Sequence, residues 1–382
     1  MKIAVNTRFL LKGKLEGIGW FTYEIIKRIV LAHPEHEFIF FFDRPYDPQF
    51  VFAPNVKPVV LAPPARHPFL WYAWFEISVR FALRKFKADA FVSTDGFLSL
   101  STSVPTLLVI HDLAFEHFPE HLPLKFKAYL RYFTPRFARK SKHIVTVSQF
   151  SKSDLIKCYK LNPSKISVVY NGANEQYKPI PFDEREQIKT QYANGCEYFV
   201  FAGALHPRKN VTNLLHAFAY FKSKQRSNMK LLIIGRYAWN VQDIKLAFEL
   251  HPYKDDILLY DYMQVQELSR IIGAAYCMVF VSLFEGFGIP ILEALKCQVP
   301  AIVSNTSSMP EVIGEAGILV DPTNIQEIGE AMRAIYKDEI LRTELKKRSN
   351  AQSAKFNWDK SATEFYDILE KNILTTSHLS KG

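Results

Sequence analysis

Residues 277–297, Cys-Met-Val-Phe-Val-Ser-Leu-Phe-Glu-Gly-Phe-Gly-Ile-Pro-Ile-Leu-Glu-Ala-Leu-Lys-Cys, read as a strand, a glycine-bearing loop and a helix. The run 277–281 is apolar without alternation, as in a strand covered on both faces, and such strands belong to parallel sheets. Gly286 and Gly288 lie in the loop, and Pro290 suits a first helical turn, where a missing N–H costs nothing. A strand leading through a loop into a helix N-terminus aims free amides and the positive end of the helix dipole above the sheet, which makes an anion site. Two carboxylates share this stretch, Glu285 in the loop and Glu293 one turn into the helix. They would repel a phosphate they touched, but an ionised carboxylate is the best acceptor a hydroxyl can find. Phosphate beside many hydroxyls describes a nucleotide sugar.

The rest of the chain supplies the sheet this stretch requires. Apolar strand patterns recur at 2–9, 37–42, 56–61, 89–94, 106–111, 143–147 and 166–170, with helical patterns at 18–31, 68–87, 124–142 and 149–159. Residues 171–197 carry Pro179, Pro181 and a polar run, and read as a linker. The alternation then restarts. Strands are expected at 198–202, 230–234, 257–260, 277–281, 301–304 and 317–320, and helices at 210–225, 241–249, 265–274, 291–296 and 324–336. This is an α/β chain of two doubly wound, Rossmann-like domains, 1–177 and 178–358, followed by an amphipathic tail helix, 359–382. Ligands of such sheets sit outside the carboxyl ends of the strands, so the site is expected in a cleft between the two domains.

At 382 residues each domain is large enough for its own core. No apolar run approaches a membrane span, the first strand begins at Met1 with no signal-peptide pattern, and the four cysteines lack metal-ligand spacing. A cytoplasmic protein with reduced thiols is expected. Residues 1–177 hold 24 basic against 14 acidic residues, whereas 178–382 hold 24 of each, so the whole net charge of +10 lies in the first half. That half should meet something anionic. The basic, aromatic-rich helices at 68–87 and 124–142 suit a lipid interface, which makes the inner face of a membrane a candidate surface.

Several motifs carry chemistry. Gly17-Ile-Gly19 stands between the first strand and its helix and could present amides to phosphate. His111-Asp112 ends a buried strand, where it could orient a sugar hydroxyl or move a proton. Gly203 opens a loop that reaches Arg208-Lys209, a guanidinium fork and a point charge suited to a diphosphate, with Asn210 as the expected N-cap of the next helix. No Asp-x-Asp pair is present, so no metal is expected, and the two cations with the helix N-terminus would stabilise the leaving diphosphate. Base contacts around residues 260–263, Tyr262 among them, are expected to be largely backbone.

Glu285-Gly-Phe-Gly-Ile-Pro-Ile-Leu-Glu293 resembles the paired-glutamate signature of the GT4-type retaining glycosyltransferases of GT-B fold. Trp74-Phe-Glu76, the segment from His111 to Glu120, Val147-Ser-Gln-Phe-Ser-Lys-Ser-Asp154, Pro207-Arg-Lys-Asn210 and the segment from Val303 to Glu311 resemble its mannosyltransferase-like branch. The resemblance spans nearly the whole chain and implies roles. Glu285 contacts the donor sugar and Glu293 the ribose. The amides of Phe287, Gly288 and Ile289 meet sugar and phosphates, Arg208 and Lys209 bind the diphosphate, and His111 lines the sugar pocket. The tail helix is implied to cross back to the first domain. The chain departs from many relatives in placing Ala204 where they carry arginine, which leaves Arg208 to supply that charge.

The implied reaction is metal-independent retaining transfer of a sugar, mannose foremost, from a GDP- or UDP-linked donor. It needs no cofactor. The acceptor would be a glycan or a lipid-linked molecule in cell-surface polysaccharide or lipopolysaccharide synthesis, and no nucleic acid is involved. A sugar-nucleotide epimerase on the same fold, or a non-enzymatic protein binding membrane or nucleic acid through the basic half, are the alternatives. The latter leaves the Glu285–Glu293 loop without a use.

Overall fold

The computed structural model describes residues 1–237 and 241–375, and the end of the expected 359–382 tail lies outside them. It divides into two units, residues 1–171 with 357–382, and 172–356. Each is built on one wholly parallel sheet.

In the first unit the strands are β1 (Lys2–Asn6), β2 (Glu37–Phe42), β3 (Val56–Val60), β4 (Ala90–Ser93), β5 (Thr106–Val109), β6 (His143–Thr146) and β7 (Ile166–Val168). Their order is β3-β2-β1-β4-β5-β6-β7. In the second unit they are β8 (Tyr198–Ala202), β9 (Lys230–Ile234), β10 (Ile257–Tyr260), β11 (Cys277–Phe280), β12 (Ala301–Ser304) and β13 (Gly317–Val320), ordered β10-β9-β8-β11-β12-β13. Both sheets therefore wind out from their first strand and reverse beside it, between β1 and β4 and between β8 and β11. A doubly wound sheet opens its ligand crevice at that reversal. The central strands are buried on both faces, as their unbroken apolar runs require.

Four differences from the sequence expectations have physical reasons. The division falls at Asn171 rather than after 177, because Tyr177 is buried and hydrogen-bonded to Glu293 of the second unit. The supposed linker is ordered. After Pro181 the chain turns through a helix, Phe182–Ala193, which packs on the helix Val265–Ala274. Its pattern is obscured because only Ile188, Lys189, Tyr192 and Ala193 are buried on it. The helix at 68–87 is interrupted: α-helical Pro68–Ala73 and Arg80–Lys85 flank a π-helical turn, Trp74–Val79. The first strand stops at Asn6 rather than 9, since Thr7 to Leu10 turn to build the strand's carboxyl-end loop.

The tail helix Trp358–Leu369 belongs to the first unit. Its Trp358 and Phe365 rings stand edge-on to Phe21 of the helix Gly17–Ala32, at 6.2 and 6.1 Å. Tyr366 stacks on His33 at 3.4 Å and bonds to His36 Nε2 at 2.8 Å. All four cysteines are free.

Candidate functional site

The second unit's reversal is framed by two loops, one after β8 and one after β11. The β8 loop carries a short 3-10 turn, Pro207–Lys209, and the β11 loop runs into the helix Ile289–Lys296. Backbone and side chain knit the two together. Leu283 N donates to Arg208 O at 2.8 Å, and the Arg208 guanidinium donates to Phe284 O. The Asn210 side-chain amide donates to Val281 O and Pro322 O at 2.9 and 2.7 Å. Asn210 stands at the expected helix start but does not cap it. It adopts a left-handed conformation and its side chain is committed to bridging strands.

Within this frame Glu285 is buried between the two cations. Its Oε1 lies 2.6 Å from Lys209 Nζ and its Oε2 lies 3.1 Å from Arg208 Nη1. The Lys209 ammonium also sits 5.0 Å from the Phe280 ring centroid. Burial alone would raise the Glu285 carboxyl, but the Arg208 and Lys209 charges outweigh it and hold the group down at about 2. Glu285 is thus ionised at any working pH and has no proton to give.

The loop is held by hydroxyls at the end of β12 and just after it. Ser307 Oγ accepts from Glu285 N at 3.0 Å. Ser308 Oγ reaches both Glu285 O and Phe287 O at 2.9 Å, and Ser304 Oγ donates to Ser282 O at 2.6 Å. Phe287 is buried edge-on to Phe356, ring centroids 5.4 Å apart. Gly288 occupies the N-cap of the helix Ile289–Lys296 at φ +100°, where any side chain is strained and a Cβ would stand 2.9 Å from Ile291 Cδ1. No side chain caps this helix, Pro290 has no N–H to give, and Ile291 N donates to Gly288 O at 3.0 Å.

Among the described residues no cation acts on Glu293, one turn on. Its carboxyl receives the Tyr177 hydroxyl, and burial pushes it up to about 7, the hydrogen bond opposing the rise. The Tyr177 phenol is raised as well, first by its own burial and then by the Glu293 charge. Gly203 ends β8, its N bonded to Ile234 O at 2.9 Å. Tyr262, after β10, is half exposed with its ring 4.5 Å under the Arg236 guanidinium, a separate grouping from the Glu285 cluster.

Three expected site residues lie in the first unit. Gly17 starts the helix Gly17–Ala32 and is exposed. Gly19 is buried, and a Cβ there would stand 2.8 Å from Phe9 O, so its visible role is close packing of helix against loop. His111 follows β5, donates from Nε2 to Thr94 O at 2.9 Å, and packs edge-on to Phe21 at 5.1 Å. Burial lowers its pKa, and a carbonyl can only accept, so the neutral ring carries its proton on Nε2 and leaves Nδ1 as an acceptor.

The structure therefore unites Glu285, Arg208, Lys209, Phe287, Gly288 and Ile289, with Glu293 one turn along the same helix. Sequence reasoning gave no role to the supports Ser304, Ser307 and Ser308, although it singled out the segment from Val303 to Glu311 that holds them, and it missed Tyr177. The run Ser304-Asn-Thr-Ser-Ser308 after a strand was the signal for the first three. Tyr177 left none. Among the described residues, His33, Glu35 and His36, and His117, Asp154 and Cys158, also bring donor atoms within 4.8 Å of one another, both groups in the first unit.

Residues 183–352 match the family described as Glycosyl transferases group 1, and residues 15–177 match Glycosyltransferase Family 4. The chain is 28% identical over 377 residues to the O-antigen chain mannosyltransferase B of Escherichia coli, covering 95% of this chain and 98% of that one. It is 28% identical over 295 residues to the O-antigen chain mannosyltransferase RfbU of Salmonella typhimurium, covering 75% and 76%. Among solved structures, Anabaena Alr3699/HepE in complex with UDP-glucose superposes with a TM-score of 0.76 at 16% identity, over 97% of this chain and all of that one. WaaG, a glycosyltransferase involved in lipopolysaccharide biosynthesis, gives 0.74 at 15% identity over 96% and 99%.

Proposed function

The chain belongs to the GT4-type glycosyltransferases of GT-B fold, and from that premise we propose that it transfers mannose from a nucleoside-diphosphate donor to a growing O-antigen-like glycan or a lipid-linked acceptor. The likeness along nearly the full chain to an O-antigen chain mannosyltransferase supports the sugar and the acceptor class. The observation that carries the reading is the clamp of Arg208 and Lys209 on Glu285 at the carboxyl end of β11.

In the free enzyme Glu285 holds the place a diphosphate would claim. A donor brings two phosphates to the two cations and offers its sugar hydroxyls to the carboxylate. The helix N-terminus at Ile289 adds amides and Glu293 accepts from the ribose, and in the first unit the His111 Nδ1 is an acceptor suited to a sugar hydroxyl. Gly203 and Tyr262 complete the donor's surroundings within the second unit in this reading, and Gly17 offers its amide in the first. When the anomeric C–O bond breaks, Arg208 and Lys209 neutralise the charge that develops on the leaving diphosphate. The acceptor hydroxyl bonds to the anomeric carbon on the face the diphosphate leaves, and its proton passes to the departing phosphate oxygen, so configuration is retained. Glu285 would make a poor nucleophile, because both its oxygens are already held by cations. A carboxylate with so low a pKa also fails as a general acid. Its work is electrostatic and positional, and the step needs no metal.

A donor screen tests this directly. The enzyme is incubated with GDP-mannose, GDP-fucose, UDP-glucose and UDP-galactose, with and without a mannose-terminated acceptor, and released nucleotide is measured. Acceptor-dependent GDP release from GDP-mannose alone is the expected result. Turnover of UDP-glucose instead would move the reading to a glucosyltransferase, and conversion of the donor sugar without transfer would make the protein an epimerase.

A further inference from the structure

The interrupted helix at 68–85 has an inner and an outer face, and both are apolar. Inward, Trp74, Phe75, Val79 and Leu83 enter the core of the first unit. Outward, Phe69, Ile77 and Phe81 are 73, 66 and 68% exposed, which places three large apolar side chains in water at multiples of four residues. Four residues of α-helix overshoot a full turn and four of the wider π-helix fall short, so the π turn at Trp74–Val79 cancels the drift and keeps the three in line. The result is a straight apolar ridge. Arg80, Arg84 and Lys85 stand on the same helical stretch. Its one acid, Glu76, is withdrawn to the loop after β4, where Ser99 Oγ and the Ser101 backbone N–H donate to it.

The adjoining helix Leu124–Lys140 packs against this one through Trp71 and Phe126, ring centroids 5.3 Å apart, and Tyr72 and Phe133, 5.7 Å apart. It starts with Leu124, 76% exposed, and residues 124–142 hold seven basic residues and no acidic one. Isolated exposed leucines need no explanation, but a ridge of aromatic and aliphatic groups beside such a charge does. Like charge disfavours a second copy of this face. Nucleic acid would match the charge but leave the apolar side chains in water. An anionic lipid surface satisfies both, with phosphate headgroups against the basic residues and acyl chains against the ridge.

We propose that the Phe69–Ile77–Phe81 ridge inserts into the headgroup boundary of an anionic bilayer and docks the first unit there. The proposal rests on the transferase reading only for its purpose, which is to bring the enzyme to a lipid-linked acceptor, and it is tested without sugar transfer. Co-sedimentation with vesicles of phosphatidylcholine containing 30% phosphatidylglycerol is compared for wild type, F69S/I77S/F81S, and R80Q/R84Q/K85Q. Wild type should bind anionic vesicles at least tenfold more tightly than pure phosphatidylcholine. The ridge variant should lose at least tenfold, and its residual binding should vanish in 0.5 M salt, where the Debye length falls to about 4 Å. The basic variant should lose less and keep a salt-resistant part. Thermal melting and nucleotide binding serve as folding controls, since all six side chains lie outside the catalytic cluster. Wild type that ignores vesicles, or a ridge variant that binds them undiminished, overturns the proposal. So does a ridge variant whose only change is from dimer to monomer in sedimentation, or full competition by a DNA duplex at equal phosphate. Sugar transfer to a short soluble acceptor, unchanged in the ridge variant, separates a failure of docking from a failure of the enzymatic reading.

Discussion

The two sheets of this enzyme share one strand order over six strands, the first adding β7 at its edge, and at the reversal of each an arginine-bearing loop meets an acid-bearing one. In the first unit Arg8, after β1, pairs with Asp95, after β4. In the second, Arg208 and Lys209, after β8, pair with Glu285, after β11. The surroundings differ. Arg8 and Asp95 are 4 and 1% exposed, and the guanidinium lies within 6 Å of the rings of Phe97, Phe9, Phe75 and Trp71. Arg208 and Lys209 are 21 and 14% exposed, so a ligand can reach them. The same topological position is thus closed over by aromatic rings in one unit and left open to solvent in the other. A salt bridge closed over by aromatic rings can serve only the fold, whereas one whose cations keep a path to solvent is free to meet a ligand.

Removing one partner from each pair tests that distinction most sharply. Asp95→Ala strands the Arg8 charge among aromatic rings and should cost about 3–5 kcal/mol of stability in urea denaturation. An Arg8→Met, Asp95→Leu double variant should recover most of it, because the pair's attraction mainly repays its own desolvation. Glu285→Ala should do the reverse. Its melting temperature should move little, whereas sugar transfer should fall about 100–1,000-fold, the loss expected when a preorganised electrostatic group is taken from a transition state. GDP affinity in that variant should rise, since the cations no longer have an internal counter-ion, and isothermal titration would show it. Weaker GDP binding would mean that the carboxylate is not a place-holder.

Lys209→Ala should weaken nucleoside-diphosphate binding about tenfold, the loss of one charge-assisted hydrogen bond. Ser308→Ala should lower turnover by a similar or smaller factor with little change in GDP affinity, because it loosens the carbonyls of Glu285 and Phe287 rather than removing a contact to phosphate.

The smallest effect expected is on pH dependence. Burial raises the Glu293 carboxyl from the ordinary range to about 7. The folded, ligand-free protein therefore binds a proton that the unfolded chain has already released, and this contribution to stability is present at low pH and fades as pH climbs from about 4.5 toward 7. Ribose hydroxyls donating to the ionised form favour release of that proton. Nucleotide affinity should accordingly improve by less than tenfold between pH 6 and 8, and Glu293→Gln should flatten the profile.

The strands and the principal site residues were legible in the sequence for a local reason. A strand buried on both faces needs an uninterrupted apolar run, which set β8, β9 and β12 to the residue, and the shorter apolar runs of the edge strands β10 and β13 set theirs. A helix N-terminus above a parallel sheet needs glycine and tolerates proline, which marked 285–293. The helix Phe182–Ala193 was hidden because most of its residues face water and leave a weak apolar stripe beside prolines. The π turn was hidden because a backbone hydrogen-bond register has no residue-type signature of its own.

What the sequence determined alone is the architecture and the chemical types at the site: two parallel sheets, two cations, two carboxylates and a glycine-framed helix start. Only the tertiary structure decided how those charges are disposed. Whether a buried acid is ionised depends on what stands within hydrogen-bond reach, and those neighbours come from distant parts of the chain. Glu285 meets Lys209 from 76 residues away and is held low, whereas Glu293 is pushed up by burial with the Tyr177 hydroxyl as its partner. Two identical side chains eight residues apart thereby acquire opposite protonation behaviour.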